Sequence, residues 1–442
     1  EPFAGVGTTP VSLSSLGITC AYSEINPAMR KVVDVKTSVL KLTKPSKQAL
    51  SLQLEDLANS IDNKLSAIGE STDLVKAYNS AFKRSIYFED DTFSLVLSAR
   101  SLIDLLAEDN KILANSLEVA VMSILIKCSL LKRAGDVRYK SKKELEKGIP
   151  DFVDSLKGQL MLMAKDCLAC PKINKESYLV ANNAKDLINI DDIKADGVIT
   201  SPPYLNGTNY FRNTKLELWF TRNITSDKCL TRFRSQVVTS GINDVQKDKG
   251  TKVHKSIEKL YADLIEKSYD ARIPKMVAGY FHEMSIVLEG LAKNTKKNSR
   301  ICIDIGDSVY AGVHVPTHEI LIEIAKDHNL SLIDSVVLRR RRSRDQTLLS
   351  QILLVFENNY KHKAIDYSEN GSLNRSKVFI KRWDMFKETM PHMRSPFSKR
   401  SWGNGLHSVC SYQGKMKPAL ANFLENSFTD KGDLVLDPFS GS

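Results

Sequence analysis

The stretch Gly197-Val198-Ile199-Thr200-Ser201-Pro202-Pro203-Tyr204 decides the fold of this 442-residue chain. Its first half is a short apolar run of the kind that forms a buried strand, and two consecutive prolines follow soon after. Proline fixes φ and restricts the residue before it, so the strand must end and the chain must continue as a rigid, extended rim. Because open α/β sheets bind ligands at the carboxyl ends of their strands, we expect residues 201–204 to border a binding site.

The sequence around this strand alternates between strands and helices. Residues 300–305 read as a second buried strand, a helix follows around 319–325, and two more strands are predicted at 331–338 and 351–356. Such alternation is typical of a mostly parallel sheet with helices on both faces, so the predicted fold class is α/β. Between the early strand and this region, apolar residues recur at three- and four-residue spacing, which predicts a mainly helical insertion.

A turn with the pattern Pro-Phe-x-Gly occurs twice, in Glu1-Pro2-Phe3-Ala4-Gly5-Val6-Gly7-Thr8-Thr9 and in Asp437-Pro438-Phe439-Ser440-Gly441-Ser442. Glycines at a strand-to-helix turn let the backbone approach a ligand and direct helix N–H groups at its polar end. Glu24 follows the first turn by about 20 residues, a spacing that suits an acid accepting hydrogen bonds from both hydroxyls of a ribose. Two ordinary glycine turns are the alternative interpretation.

The composition favours a polyanionic partner. Lys and Arg total 63 against 52 Asp and Glu, which gives a formal net charge of +11 and a pI near 9.1. The densest basic cluster is Arg339-Arg340-Arg341-Arg342 with Arg344. We interpret it as a phosphate contact or, with equal weight, as a solvated strand end or an internal set of salt bridges. No apolar run reaches the roughly 20 residues that a membrane-spanning helix needs.

The cysteines indicate a reducing compartment. Seven of them are scattered along a chain without a secretory signal, as expected for free thiols in the cytoplasm. The one CxxC pair, Cys167 and Cys170, lacks the further ligands that a structural zinc ion needs, so no metal site is predicted.

Taken together, these motifs resemble those of the amino-methylating DNA methyltransferases, the S-adenosylmethionine-dependent enzymes that modify adenine N6 or cytosine N4. The stretch 200–204 resembles the catalytic tetrapeptide of the family with the residue before it, and the two turns resemble its cofactor motif. The resemblance covers most of 1–30, 177–220 and 300–442. It implies a Rossmann-like methyltransferase sheet with helices on both faces, S-adenosylmethionine as methyl donor and double-stranded DNA as substrate.

The resemblance also implies roles for individual residues. Glu24 corresponds to the acid that binds the ribose, Asp186 falls where family members often contact the cofactor adenine, and Lys415 lies in a segment that packs against the methionine end. The residues implied to bind the cofactor are Phe3, Gly5, Gly7, Glu24, Asp186, Lys415, Asp437, Phe439 and Gly441. Those implied to be catalytic are Ser201, Pro202, Pro203 and Tyr204.

Five segments are predicted: a first cofactor-binding segment at 1–36, a helical insertion at 37–175, a catalytic α/β core at 176–360, a basic loop-rich linker at 361–408 and a truncated second cofactor-binding segment at 409–442. The insertion and the linker are both candidates for target recognition. The first turn lacks a preceding strand and the second lacks a following helix. The chain therefore either samples two adjacent methyltransferase units or has duplicated its cofactor segment, and the first turn is favoured because it retains Gly7 and Glu24.

The target base is predicted from the first residue of the tetrapeptide. Within the family, Ser at this position favours cytosine N4, whereas Asp or Asn favours adenine N6, so Ser201 favours cytosine N4 and adenine N6 stays open. The Ser201 hydroxyl and the Pro202 carbonyl would accept hydrogen bonds from the amino group, while Tyr204 stacks on the extruded base. Methylation at cytosine C5 is excluded because it needs a cysteine nucleophile after a proline, and the chain has no Pro-Cys pair.

The leading prediction is a cytoplasmic, site-specific DNA amino-methyltransferase of a restriction-modification system, with a cognate restriction endonuclease as a further partner and no membrane or metal requirement. Two alternatives stay open. One is an RNA or free-amine methyltransferase with the same tetrapeptide, and the other is a catalytically silent nucleic-acid-binding module.

Overall fold

The structure is a computed structural model. It describes residues 3–170, 175–190, 193–205, 209–245, 252–343, 345–360, 372–399, 402–403 and 417–437. None of the described helices is both long enough and apolar enough to cross a membrane.

The strands of the described residues are β1 Thr19–Ser23, β2 Leu131–Ala134, β3 Asp136–Tyr139, β4 Ser177–Ala181, β5 Ala195–Thr200, β6 Thr295–Gly306, β7 Ser308–Tyr310, β8 Val313–Val315, β9 Leu330–Arg342, β10 Leu348–Asn358 and β11 Leu434–Asp437. Seven of them form one sheet in the order β4-β1-β11-β5-β6-β10-β9. The strands from β4 to β6 in this order are parallel, whereas β10 runs antiparallel to both of its neighbours. The predicted mostly parallel sheet is confirmed.

The helices of the described residues are α1 Thr8–Ser15, α2 Pro27–Lys41, α3 Lys44–Ala67, α4 Thr72–Phe82, α5 Asp90–Asp109, α6 Lys111–Ile124, α7 Lys142–Leu145, α8 Phe152–Ala169, α9 Tyr210–Asn213, α10 Lys215–Phe220, α11 Asp227–Arg234, α12 Glu258–Lys267, α13 Arg272–Asn294, α14 Thr317–Asp327, α15 Ser372–Thr389 and α16 Pro418–Phe428. Successive residues of a strand face opposite sides of its sheet. Val198 of β5 therefore packs in the core that holds α13 and α14, and Ile199 packs in the core that holds α1, α15 and α16. Helices cover both faces of the sheet.

Both ends of the described chain meet in this sheet. β11 lies between β1 and β5, with Leu434 opposite Thr19 and Val435 opposite Gly197. The first glycine turn lies at the same edge, where the Ala4 N–H donates to the Ser23 carbonyl at 2.8 Å. The described residues thus build one sheet, in which β11 occupies the place of the strand that the first turn lacks.

The helices α2 to α6 and α8 contribute to one core, which also takes in the segment that follows residues 201–204. Trp219 of α10 is fully buried in it, and its indole Nε1 donates to the Leu74 carbonyl at 3.0 Å. Phe93 stacks on the Trp219 ring with centroids 6.0 Å apart. This packing joins the helical unit directly to the chain that leaves the predicted catalytic rim.

Three expectations need correction. The boundary at 36/37 falls inside α2, because the helix beginning at Pro27 continues to Lys41. The segment 361–408 is not loop-rich throughout, since 372–389 forms α15, whose Trp383 and Phe386 are buried against α16. The run 339–342 does not lie between two strands but forms the end of β9, which is longer than predicted.

Candidate active site

The Pro-Pro rim lies at the carboxyl end of β5, in the middle of the sheet edge. β5 ends at Thr200, and its neighbours are β11 and β6. Ser201 is 7% exposed and Pro202 is buried, whereas Pro203 and Tyr204 are half-buried. The four residues therefore present partly accessible groups at a point enclosed by neighbouring strands.

The Tyr204 side chain is held by groups from two other strands. Its hydroxyl donates to Asp304 Oδ1 of β6 at 3.1 Å. Gln351 of β10 places its Nε2 at 2.9 Å from each carboxylate oxygen of Asp304 and at 3.2 Å from the Tyr204 hydroxyl. The Ser201 side chain also forms a hydrogen bond with the phenol.

Burial governs the titration of this network. Asp304 is 1% exposed, and its burial raises the pKa of the carboxyl group to about 6, although the hydrogen bonds from Gln351 and Tyr204 oppose the shift. Burial, with the nearby Asp304 charge, raises the pKa of Tyr204 well above its ordinary value. Tyr204 is therefore a neutral hydrogen-bond donor at physiological pH.

Sequence reasoning missed Asp304 and Gln351. The available signal was Asp304 itself, a carboxylate inside the otherwise apolar run Ile301-Cys302-Ile303-Asp304-Ile305. Charged residues are almost never fully buried without a specific reason, and perturbed titratable groups cluster at functional sites.

The first glycine turn forms a tight loop before α1. Gly5 and Gly7 have φ values of 50° and 78°, in the left-handed region that glycine adopts without strain. A Cβ on Gly7 would lie 3.0 Å from Val33 Cγ2, so this position has no room for a side chain. Gly7 also precedes α1 without a side-chain cap, which leaves N–H groups of the first helical turn available to a ligand.

Glu24 follows β1 and faces this turn. Its Oε2 accepts the Gly5 N–H at 2.6 Å, and its Oε1 accepts the Asn26 N–H at 2.7 Å. The side chain is buried, which raises the pKa of Glu24 to about 7 against the opposing effect of these two backbone donors and of the Arg30 charge. Each carboxylate oxygen keeps capacity for a further donor.

Four hydroxyl groups around this edge are buried and have no hydrogen-bond partner among the described residues. They are Thr8 Oγ1, Thr9 Oγ1, Ser23 Oγ and Thr200 Oγ1. Thr8 and Thr9 begin α1, whereas Ser23 and Thr200 end β1 and β5 on either side of β11. Buried polar groups are normally satisfied, so this set fits a polar ligand such as S-adenosylmethionine, which offers ribose hydroxyls, a carboxylate and an amine.

Comparison with known proteins agrees with this geometry. The profile of the DNA methylase family (N6_N4_Mtase) matches residues 195–442, from β5 to the end of the chain. This chain belongs to the DNA methylase family.

The methylase is also similar to type II methyltransferases. M.AvaI of Nostoc sp. strain PCC 7120 is 22% identical over 373 residues, which covers 76% of this chain and 74% of that protein, and M.AvaI of Anabaena variabilis gives the same figures. M.BsoBI of Geobacillus stearothermophilus is 24% identical over 385 residues, covering 77% and 74%. The solved structure of TTHA0409 from Thermus thermophilus aligns with 58% of this chain and 76% of its own at 14% identity, with a TM-score of only 0.27.

Other predicted cofactor residues of the methylase lie around the same edge. Asp186 belongs to the 3-10 turn Ala184–Asn189 after β4, the strand next to β1, and it is exposed. Phe3 is half-buried and packs against the same core as Tyr204. The backbone of Asp437 ends β11 opposite Tyr22. The predicted residues Lys415, Phe439, Gly441 and Arg344 lie outside the described residues.

The arginine run extends from this edge on an exposed hairpin. Arg339 pairs with Gln351 in the β9-β10 ladder, and Arg341 pairs with Leu349. Opposed residues in an antiparallel ladder share a face, so these two arginines lie on the Gln351 side of the sheet, whereas Arg340 and Arg342 lie on the other side. All four are exposed, and none forms a salt bridge with a described residue.

The described part of the methylase shows no group of three or more His, Cys, Asp or Glu side chains that could hold a metal ion.

Proposed function

We propose that this DNA methylase transfers the methyl group of S-adenosylmethionine to the exocyclic N4 of cytosine in double-stranded DNA. The observation that carries the proposal is the meeting of two sets of groups at one sheet edge. Glu24, the first glycine turn and the unpartnered hydroxyls lie beside β11, and residues 201–204 lie at the end of β5, the next strand.

The cofactor side of the edge would bind and orient the methyl donor. When bound, S-adenosylmethionine supplies an electrophilic methyl group on its sulfonium sulfur. Glu24 would accept hydrogen bonds from the ribose, Asp186 would lie toward the adenine, and the N–H groups of α1 with Thr8 and Thr9 would bind polar groups of the donor. We also propose that Phe3, Gly5, Gly7, Asp437, Phe439 and Gly441 contribute to cofactor binding, and that Lys415 interacts with the methionine end of the cofactor.

The substrate side would hold a base turned out of the duplex. The lone pair of an exocyclic amino group is delocalised into the ring, so the nitrogen is a weak nucleophile. Acceptors at Ser201 Oγ and the Pro202 carbonyl would draw this nitrogen toward tetrahedral geometry, and Tyr204 would stack on the base. We favour cytosine N4 over adenine N6 because the first residue of the tetrapeptide is Ser.

The arginines of the β9-β10 hairpin would contact the DNA backbone. They are exposed, without salt-bridge partners among the described residues, and continue outward from the strand position that faces Gln351. The net charge of +11 is consistent with a sequence-independent attraction to phosphate. Because M.AvaI and M.BsoBI are named as type II methyltransferases, we also propose a role in a restriction-modification system with a cognate endonuclease.

The test incubates the protein with labelled S-adenosylmethionine and unmethylated mixed-sequence duplex DNA, followed by nucleoside mass spectrometry. We expect N4-methylcytosine, which disappears in Ser201→Ala and Tyr204→Ala. The matched controls Ser66→Ala and Tyr269→Ala remove exposed side chains of the same types and should retain activity.

Each other outcome has a defined meaning. N6-methyladenine that depends on the same residues would overturn the choice of base and keep the site. Methylation of RNA and not of DNA would overturn the substrate. If a folded protein binds duplex DNA and neither binds nor consumes S-adenosylmethionine, it is a silent binding module.

A further inference from the structure

We propose that Asp304 and Gln351 are positioning residues of this methylase, which hold the Tyr204 ring in place as the stacking surface for the extruded base. The inference deepens the proposed function and rests on it for the role of the ring. Neither residue lies in a sequence motif. They reach Tyr204 from β6 and β10, which follow it by about 100 and 147 residues.

The first support is that the contacts close a small triangle. Tyr204 donates to Asp304, and the Gln351 amide lies within 3.2 Å of the Tyr204 hydroxyl and 2.9 Å of both Asp304 oxygens. A phenol held by a single hydrogen bond could still swing about it. Two partners on separate strands fix the position of the hydroxyl and with it the tilt of the ring.

The second support is the packing of the ring. A Cβ built on Gly306 would lie 3.4 Å from both Cδ2 and Cε2 of Tyr204, so one side of the ring rests on this glycine at the end of β6. Gly306 also stands opposite Gln351 in the β6-β10 ladder. Gly306, against which the ring packs, and Asp304 and Gln351, which hold its hydroxyl group, therefore belong to the same pair of strands.

The third support is the direction of the hydrogen bonds. An ionised carboxylate can only accept, so the Tyr204 hydroxyl must donate to Asp304. The phenolic oxygen is then an acceptor for Ser201 and Gln351. A Ser201 hydroxyl that donates to Tyr204 keeps its own lone pairs free for the target amino group. Asp304 thereby orients the acceptor as well as the ring.

The surroundings of Asp304 contain few other charges. The described groups that face the pair are Gln351 from β10, Tyr210 from α9 and Ser201 from the same loop. No described Lys or Arg forms a salt bridge with Asp304. Its protonation state is thus set by burial and by these neutral partners.

The kinetic test measures kcat and KM for DNA at saturating S-adenosylmethionine, which removes any effect of pH on cofactor binding. Asp304→Ala and Gln351→Ala should lower kcat/KM for DNA by about 10- to 100-fold, since each loses hydrogen bonds of a buried network. The dissociation constant for S-adenosylmethionine, measured by calorimetry, should change less than about twofold, which also shows that the variants are folded.

Asp304→Asn is the conservative variant that separates positioning from bulk stability. Its amide oxygen still accepts from Tyr204, and Gln351 can turn its own amide to accept from the new NH₂ group. We expect kcat/KM at neutral pH to lie between the values of the wild type and of Asp304→Ala, because a neutral amide still holds the phenol but does not force it to donate. The wild-type kcat/KM should fall as pH drops through about 6, where the carboxyl group becomes protonated, whereas that of Asp304→Asn should stay constant over the same range. Asp307→Asn is the matched control, because this carboxyl group is also buried but contacts His318 and not Tyr204. It should leave the pH dependence of kcat/KM unchanged.

A spectroscopic readout decides the inference without turnover. In protein labelled with ¹³Cζ-tyrosine, with Tyr204→Phe to assign the signal, the Tyr204 resonance should shift between about pH 5 and pH 7 in the wild type and stay constant in Asp304→Asn. An unchanging wild-type resonance, or full DNA activity in Asp304→Ala, would overturn the inference. A wild type that methylates no DNA would overturn the proposed function, while the resonance would still report whether Asp304 holds the ring.

Discussion

Two buried carboxyl groups border the site, and the protein holds them in different ways. Glu24 accepts from the backbone N–H groups of Asn26 and Gly5, which lie 2 and 19 residues away in sequence. Asp304 accepts from the side chains of Gln351 and Tyr204, which lie 47 and 100 residues away. Burial raises the pKa of both groups, to about 7 for Glu24 and about 6 for Asp304.

The difference teaches what each carboxyl group is free to do. Backbone donors fix Glu24 within its own loop and leave further lone pairs on each oxygen, so it can accept from a ligand. Asp304 directs its oxygens toward protein side chains, so it acts through Tyr204. In the proposed function, Glu24 would bind the cofactor and Asp304 would support the surface for the base.

The largest effect is expected from removing Glu24, which we propose binds the cofactor. Glu24→Ala should weaken S-adenosylmethionine binding by about 100-fold, because it deletes charge-assisted hydrogen bonds to the ligand and leaves two buried N–H donors unpaired, at a cost of about 3 kcal/mol. Calorimetric titration measures this change.

The matched variant for this prediction is Glu55→Ala, which removes a half-buried acid in α3, away from the sheet edge. It should leave the affinity unchanged. Tight S-adenosylmethionine binding by Glu24→Ala would show that Glu24 does not bind the cofactor. The proposed difference in role between Glu24 and Asp304 would then be wrong.

The next effect is the pH dependence of cofactor binding. Glu24 is ionised above its pKa of about 7 and protonated below it, and only the ionised form can accept from both ribose hydroxyls. The dissociation constant for S-adenosylmethionine should therefore rise by up to about tenfold from about pH 8 to about pH 6. Glu24→Gln, which cannot titrate, should give a flat profile, whereas Asp304→Asn should keep the wild-type slope.

A smaller effect should distinguish the role of Asp304 from that of Glu24. Gln351→Glu places a like charge beside Asp304, which raises the pKa of Asp304 further above about 6. The acid limb of kcat/KM for DNA should then move upward, with a loss of about fivefold at neutral pH. The pH profile of S-adenosylmethionine binding should not move. If both profiles shift together, the two carboxyl groups are coupled and do not act separately.

The same contrast explains what the sequence could predict. Glu24 could be proposed from the sequence because its partners are local: a glycine turn and a carboxylate about one strand and one helix later form a recognisable spacing. The α/β sheet and the Pro-Pro rim followed from equally local patterns, namely a short apolar run and the restrictions that proline imposes.

Long-range partners were beyond such reasoning. Gln351 is an ordinary polar residue until the β6-β10 register places it opposite Gly306 and beside Asp304. The position of β11 between β1 and β5 is likewise set by the topology of the sheet. The sequence therefore predicted two glycine turns but not that the strand before the second turn pairs with the strand that follows the first. Helix α15 was missed because basic and polar residues surround the half-buried Phe379 and the buried Trp383 and Phe386, although the spacing of these three residues is helical.

The smallest expected effect tests whether the arginines that we propose contact DNA interact with the Asp304 network. Arg339 stands opposite Gln351, yet no salt bridge joins it to Asp304. Arg339→Ala should therefore weaken DNA binding a few-fold and reduce the slope of log affinity against log salt by about 1, as expected for one lost phosphate contact. It should leave the Tyr204 resonance midpoint unchanged. Lys431→Ala, which removes an exposed charge in the turn before β11, should alter neither the affinity for DNA nor this midpoint.

A midpoint that rises in Arg339→Ala would mean that the arginine stabilises the Asp304 carboxylate, because losing a nearby positive charge raises the pKa of an acid. DNA contact and base positioning would then be electrostatically linked through this one strand pair.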